Sequence, residues 1–473
     1  MAKRSLYRSV SRAVARALAP EYVRRFDAAG GGRRWEHRPH FGNANSEALA
    51  GAPQIRPRAR HAVANNAWAA NAVSVYETAL IGPGIESKSG HPDEATRALI
   101  GEAFKAWTPG ADADGLTDWF GLQAQIVRAL VQDGECFLHV INTPQGPKLR
   151  VLPCEMVDES KTNPATADIA GIRFAADGTR LGYWVFKERP QDALNGLTES
   201  VFVPASDILH IYKPIGAGAV RGVSWFAPVL LTLSELDQWS DAQLVNAKVQ
   251  AMLCGFLIDQ NGTGAPFEGQ DPNNVSLEPA TMTRLPQGWD VKFSSPEQAL
   301  SAMEFGVFML RAVAAGLQIP EFLLSGDMRG ANYSSMRSAM VAWRQRCEQI
   351  QFQTLIPQAL RPVWERVIRW LILSGRIEAK DFESNSAAWL DADFYPPAMP
   401  WVDPAKDAKA QREMVDAGFM SRRQVVASLG FDVEQVDSER AADAQREKAL
   451  GLGAPAASAG QPGGQDEEDD SNA

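Results

Sequence analysis

The side chains able to do chemistry in this sequence are scattered rather than gathered. Six histidines are present, and none has a Ser or Cys nucleophile at a catalytic spacing. There is no phosphate-cradling Gly-x-x-x-x-Gly-Lys loop, no His-Glu-x-x-His and no Gly-x-Ser-x-Gly elbow. Gly216-x-Gly218 lacks the third glycine of a dinucleotide fingerprint and follows strand-like segments instead of opening a βαβ unit. Cys136 and His139, three apart on an expected strand, point to opposite faces, which disfavours a shared metal. Cys136, Cys154, Cys254 and Cys347 show no metal-type spacing and sit among apolar residues, as reduced core thiols of a cytosolic protein do. Asn332-Tyr333-Ser334 matches a glycosylation sequon that such a chain does not use. A long chain without a chemical constellation reads as an assembly component, not an enzyme, with no cofactor and no metal.

The elements that would carry these residues follow from composition and period. At 473 residues and 45% apolar, the chain is expected to form two to four units with real cores. A net charge of −10 argues against a tight, sequence-blind nucleic-acid binder. The charge is uneven. Residues 1–38 hold ten Lys and Arg against Glu21, Asp27 and Glu36, while Asp466, Glu467, Glu468, Asp469 and Asp470 lie in a Gly/Pro/Ala/Ser-rich tail expected to be solvated and disordered. No apolar run reaches membrane-spanning length, and arginines recur where a signal peptide would be apolar.

Helices are expected from Pro57 to Leu80, from Pro92 to Trp107, and from Thr117 to a C′ glycine at Gly134. Strands then read at 135–142, 148–152, 171–175, 181–187, 200–203 and 208–212, with Asp177-Gly178 as a tight turn, giving an α+β unit with one mostly antiparallel sheet. A helix of about 34 Å over 228–250 precedes a β-containing insertion with strands at 253–259 and 288–294, and a second helix covers 296–317. Residues 318–334 read as a loop. A helix from Ser335 to Gly375 is expected to kink or break at Pro357 and Pro362. A strand at 388–395 and short polar helices over 404–450, split by Gly418 and Gly430, complete the chain.

Five separated stretches carry a resemblance. They are Arg56-Pro57-Arg58-Ala59-Arg60 with Asn65-Asn66 and Ile81-Gly82-Pro83-Gly84-Ile85; Asp133-Gly134-Glu135; Arg221-Gly222-Val223-Ser224 with Pro228; a fourth from Leu310-Arg311 through Ala314-Ala315-Gly316-Leu317, Ile319-Pro320 and Leu324-Ser325-Gly326-Asp327 to Asn332-Tyr333-Ser334-Ser335; and Pro400-Trp401-Val402-Asp403-Pro404. In this order they resemble the lambda-type portal family of tailed bacteriophages over nearly the whole chain. Residues 260–285 match nothing in it.

The resemblance implies a portal fold assembled as a ring, usually of twelve copies, at one capsid vertex of the virion. The parts would be a basic N-terminal arm (1–55), a wing (56–226), stem helix 1 (227–250), a clip (251–295), stem helix 2 (296–317), a tunnel loop (318–334), wing helices and a closing strand (335–402), a crown (403–452) and an acidic tail (453–473). The implied partners are double-stranded DNA passing non-specifically, the terminase large subunit, the head–tail connector, the major capsid protein and a scaffold, with assembly in the host cytoplasm and no membrane. Asp327, Arg329, Asn332 and Tyr333 would face DNA; Glu235, Asp241, Lys248, Glu304 and Arg311 would line the channel; Asp271, Asn273, Asn274 and Arg284 would face the terminase. Asn332 and Tyr333 have a second reading, as the cap and first turn of the next helix. The N-terminal arm either touches DNA or scaffold, or lies on the wing as a surface helix.

Three physical expectations accompany this. Val229, Leu230, Leu233, Leu236, Leu244 and Val245 on one stem helix, and Phe305, Phe308, Met309, Val313 and Leu317 on the other, leave apolar surface that identical neighbours in a closed ring would cover. Twelve helices about 10 Å apart enclose a bore of roughly 28 Å, enough for a duplex about 20 Å wide. The stem pair is net negative, with Glu235, Asp237, Asp241, Glu297 and Glu304 against Lys248 and Arg311, so it would hardly hold phosphates. Outside the resemblance, a DNA-processing enzyme with carboxylates around an unrecognised metal, or another head-completion component, remains the alternative.

Overall fold

The computed structural model describes residues 42–188, 199–251, 255–259, 289–293, 298–329, 332–398 and 404–451. Two helices open it, α1 (Ala44–Asn65) and α2 (Ala67–Leu80). The helix expected from Pro57 instead begins at Ala44 and contains both Pro53 and Pro57; burial of Ala48, Ala52, Arg56, Ala59 and Val63 along one face offsets the hydrogen bonds the prolines remove. It does not run to Leu80. Asn66 adopts an extended backbone, ends α1 and caps α2 by accepting from the Ala69 N–H.

After β1 (Glu86–Ser89) come α3 (Glu94–Trp107) and α4 (Trp119–Asp133). Gly134 closes α4 at φ +91°, its N–H reaching the Ala129 and Leu130 carbonyls, as expected for a C′ glycine. The strands that follow form two sheets, not one. β3 (Gly146–Leu152), β2 (Glu135–Thr143) and β8 (Ile208–Tyr212) make the first; β4 (Asp168–Ile169), β5 (Ile172–Phe174), β6 (Arg180–Phe186) and β7 (Ser200–Pro204) make the second. All pairs are antiparallel. A separate small core of Phe137, Leu152, Val157, Ile172, Tyr183, Val185 and Ile208 draws on both, which the strand periods alone could not reveal.

Helix α5 (Leu230–Ala251) leads to the paired strands β9 (Gly255–Asp259) and β10 (Trp289–Phe293), and α6 (Gln298–Leu317) returns. Helix α6 meets Val229, just before α5, at Gly316, where an added Cβ would lie 2.3 Å away, and the Trp239 ring of α5 at Gly306, where it would lie 2.8 Å away. Ten residues separate the two contact points on each arm, about 15 Å at helical rise, and they run in opposite senses, so α5 and α6 form an antiparallel hairpin.

The segment 318–334 is not all loop: Glu321–Ser325 forms a short helix, α7, ended by Gly326 at φ +73°. Beyond it, α8 (Tyr333–Ile350), a ten-residue π-helix (Gln351–Leu360) and α9 (Arg361–Leu373) follow without interruption. The expected break at Pro357 is absent because the helix widens to π hydrogen bonding there, and Pro362 is carried where the π-helix passes into α9. Residues 388–390 belong to helix α10 (Phe382–Leu390), so the expected strand shortens to β11 (Ala392–Tyr395), paired with β1. Helices α11 (Pro404–Asp416), α12 (Arg422–Ser428) and α13 (Val433–Leu450) end the described chain, with Gly418 and Gly430 at positive φ between them. The architecture is α+β, with one large core gathering α1–α4, the bases of α5 and α6, and α8–α9.

Candidate functional site

Glu135, the first residue of β2, is completely buried and ionised. Its carboxylate accepts from Arg221 Nε (2.9 Å) and Nη2 (2.6 Å), Arg56 Nη2 (3.1 Å), His210 Nε2 (3.0 Å) and the Gly222 N–H (2.9 Å). Burial raises its pKa, but the Arg221 charge and the His210 and Arg221 hydrogen bonds outweigh that and hold it well below the usual carboxylate range. Next to it, Arg60 grips Asp133 through two bonds of 2.8 Å and Glu155 through bonds of 3.2 and 2.9 Å. Glu159 pairs with both Arg56 (2.8 Å) and Arg221 (3.0 Å).

Around this hub the rings and cations stack. Arg221 lies over Phe137, Phe137 stacks on His210 (4.3 Å, 19°), His210 on Tyr212 (4.4 Å, 17°), and Arg180 covers Tyr212. Buried inside this stack, the imidazole stays neutral. Burial lowers the His210 pKa to about 4, Glu135 offsetting only part of the shift. With Nε2 donating to Glu135, Nδ1 is a bare acceptor buried without a hydrogen-bond partner.

The hub joins three of the five resemblance stretches: Arg56 and Arg60 from α1, Asp133 to Glu135 at the α4–β2 junction, and Arg221 with Gly222. Sequence reasoning named these stretches but not their meeting. Among the described residues no group of three or more His, Cys, Asp or Glu could hold a metal ion, and Cys136, Cys154 and Cys347 are buried free thiols.

Helix α2 binds the hub's layer to the hairpin. The Asn66 amide donates to Asp237 on α5 (2.6 Å), the Tyr76 hydroxyl to the Leu317 carbonyl at the end of α6 (2.6 Å), and the Asn71 amide to the Leu323 and Leu324 carbonyls of α7 (2.8 and 2.9 Å). Asn66 stood out in the sequence only as part of Asn65-Asn66, and Asn71 and Tyr76 did not stand out; polar side chains on a helix otherwise apolar enough to bury Ala69, Ala72, Val73 and Leu80 were the available signal.

The hairpin's apolar residues divide in two. Val229, Leu233, Leu236, Val313 and Leu317 are buried in the chain's own core, a correction to the expectation that only neighbours cover them. Farther out, Leu244 (54% exposed), Val245 (59%), Phe305 (48%) and Phe308 (67%) are uncovered, and Leu231 is exposed at the base. Glu235, Asp241, Lys248, Glu304 and Arg311 are all exposed on the same two helices.

In the loop, Arg329 is 80% exposed and pairs with Asp327 through two parallel contacts, Nε to Oδ1 (3.0 Å) and Nη2 to Oδ2 (2.7 Å), which holds the Asp327 pKa at about 2. Asn332 caps α8: its side chain accepts from the Ser335 N–H (2.8 Å), and the Ser335 hydroxyl accepts from the Asn332 N–H. Tyr333 is the first residue of α8. Asp271, Asn273, Asn274, Arg284, residues 1–41 of the N-terminal arm and the acidic tail lie outside the described residues, while residues 44–55, expected to belong to the arm, form the first half of α1.

A family model described as phage portal protein, lambda family, matches residues 31–351. The "Probable portal protein" of Halomonas phage phiHAP-1 is 24% identical over 472 residues, covering 92% of this chain and 89% of its own. Portal protein B of Escherichia phage lambda is 21% identical over 457 residues, covering 84% and 85%. Among solved structures, a chain in the neck of an empty gene transfer agent particle, computed with C6 symmetry, aligns at a TM-score of 0.48 with 16% identity, over 84% of this chain and 96% of that one.

Proposed function

The chain belongs to the lambda family of phage portal proteins, and from that premise we propose that twelve copies close into a ring whose bore is lined by the α5–α6 hairpin. Its role is that of a DNA channel in genome packaging. In the proposed arrangement residues 56–226 and 335–402 form the wing, 227–250 and 296–317 the stem, 251–295 the clip, 318–334 the tunnel loop and 403–452 the crown. The clip, with Asp271, Asn273, Asn274 and Arg284, docks the terminase large subunit during packaging and the head–tail connector afterwards. The wing and crown meet the major capsid protein and scaffold at the capsid vertex.

One observation carries the ring: Leu244, Val245, Phe305 and Phe308 stand uncovered on a hairpin whose base is already buried in its own core. Apolar surface of this kind marks an interface, and a head-to-tail contact that closes buries it once per copy. Averaged electron micrographs of the purified chain should show closed rings. Leu244→Asp with Phe308→Asp should leave each protomer folded but weaken each contact by about 3 kcal/mol or more, the scale of two buried apolar side chains, so that sedimentation finds mostly monomer. A wild-type chain that stays monomeric at micromolar concentration would sink the reading.

The channel face works by holding DNA weakly. Its exposed carboxylates Glu235, Asp241 and Glu304 outnumber Lys248 and Arg311, and phosphate affinity rises with each cation engaged. The loop residues Asp327, Arg329, Asn332 and Tyr333 face the passing backbone, with Arg329 already neutralised by Asp327. Arg329→Ala should reduce the DNA retained in filled heads without altering ring assembly; unchanged retention counts against the loop contact.

A further inference from the structure

The carbonyls at a helix C-terminus have no partner within the helix and must find one elsewhere. Two helix ends precede residues 326–329 in the chain, and both are satisfied by the same neighbour. Leu317 is the last residue of α6, and its carbonyl accepts from Tyr76. Leu323 and Leu324 lie in the five-residue α7, too short to satisfy its own carbonyls, and both accept from the single amide of Asn71. Gln318, between the two helices, is held at φ +59°, a strained conformation for a residue with a side chain.

Helix α2 also reaches the far side of the loop. The Tyr76 ring packs at 5.0 Å on Trp225, which precedes α5, and at 5.2 Å on Trp343 of α8. At its other end, the Leu80 carbonyl accepts from Gln351 at the start of the π-helix (2.8 Å). By contrast, the side-chain hydrogen bonds of residues 326–329 are local: the Asp327 N–H to Ser325, and Arg329 to Asp327. The loop's position is therefore inherited from α7, α6 and α8, and one helix holds all three.

We propose that Asn71 and Tyr76 are positioning residues of the channel, fixing where residues 326–329 sit relative to the stem. This rests on reading that loop as facing DNA. Tyr76→Phe removes one hydroxyl and keeps the ring contacts; Asn71→Ala removes both amide bonds from a half-buried site. In full-length rings of either variant, symmetry in averaged micrographs should match wild type. Amide exchange over residues 318–329 should quicken about three- to tenfold, as loss of a local hydrogen bond predicts, while exchange in β2 and α4 stays unchanged. Supplied to a phage genome lacking this gene, each variant should lower the yield of DNA-filled heads several-fold.

Unchanged exchange over 318–329, or faster exchange with normal filling, overturns the proposal. Loss of rings in both variants overturns it too, making the pair supports of the fold and not of the loop. A wild-type chain unable to restore any filling would instead strike the channel reading itself, a result separable from the exchange data.

Discussion

Replacing Glu135 with Ala should destabilise the protein by about 3–5 kcal/mol, the cost of leaving buried cations without their partner, and lower the thermal midpoint by roughly ten degrees. The reason is the count of groups that depend on it. Arg221 is 1% exposed and Arg56 7%, the Gly222 N–H loses its acceptor, and His210 loses the carboxylate its Nε2 serves. Glu135→Gln should do nearly as much damage, because the amide puts a donor against guanidinium. The same hub makes the wild type acid-labile in two stages. His210 has its folded pKa depressed from 6.5 to about 4, so its contribution is complete above pH 6.5 and is lost as pH falls towards 4, on the order of 3 kcal/mol in all. Glu135, also depressed, keeps its contribution above the ordinary carboxylate pKa of 4.5 and loses it at still lower pH. Thermal midpoints recorded from pH 7.5 down to about 2.5 test both stages: a midpoint unchanged between pH 6.5 and 4.5, no further fall below pH 4.5, or a Glu135→Ala protein as stable as wild type, contradicts the hub as described.

Why the hub escaped sequence reasoning is instructive at Arg56. The buried positions of α1 run 48, 52, 56, 59 and 63, a helical stripe in which every member but Arg56 is apolar. An arginine on the apolar face of a helix demands a buried acid, and that demand is readable; which acid answers it is not, since Glu135 lies 79 residues away and opens a strand where a glutamate would ordinarily face water. Local signals did better. Gly134 as a helix stop, Asp177-Gly178 as a turn, and the α–β–α order of 228–317 all depend on neighbours within a few residues. Asn65-Asn66 misled because two adjacent asparagines fit a helix surface as well as a cap, and Pro357 misled because a rule about α-helices says nothing of π hydrogen bonding. The division of stem residues into a buried base and an exposed outer half follows from how far the core extends, a tertiary property that the helical period of α5 and α6 does not contain.

The most damaging single methyl group in the described chain should be one placed on Gly134. Two penalties meet there, and a control separates them. Gly134 sits at φ +91°, where any side chain costs on the order of 1–2 kcal/mol. A Cβ would also lie 2.0 Å from the Val223 carbonyl carbon and 2.3 Å from the Ser224 nitrogen. Those are backbone atoms and cannot rotate aside. On the facing strand of chain, a Cβ at Gly222 would lie 2.2 Å from the Gly134 oxygen, so the two glycines exist to let two backbones touch. That touch carries the Gly222 N–H and Arg221 to Glu135. Relieving the clash therefore means withdrawing Arg221 from the carboxylate. Gly178 has a similar φ of +85° with nothing within 4 Å of its Cβ position. Gly178→Ala should cost only the conformational penalty and leave a soluble, ring-forming protein, while Gly134→Ala should yield chain that is insoluble or unfolded at 37 °C. Equal midpoints for the two variants would mean that the junction yields, and that the contact between residues 134 and 222 does not hold the hub together.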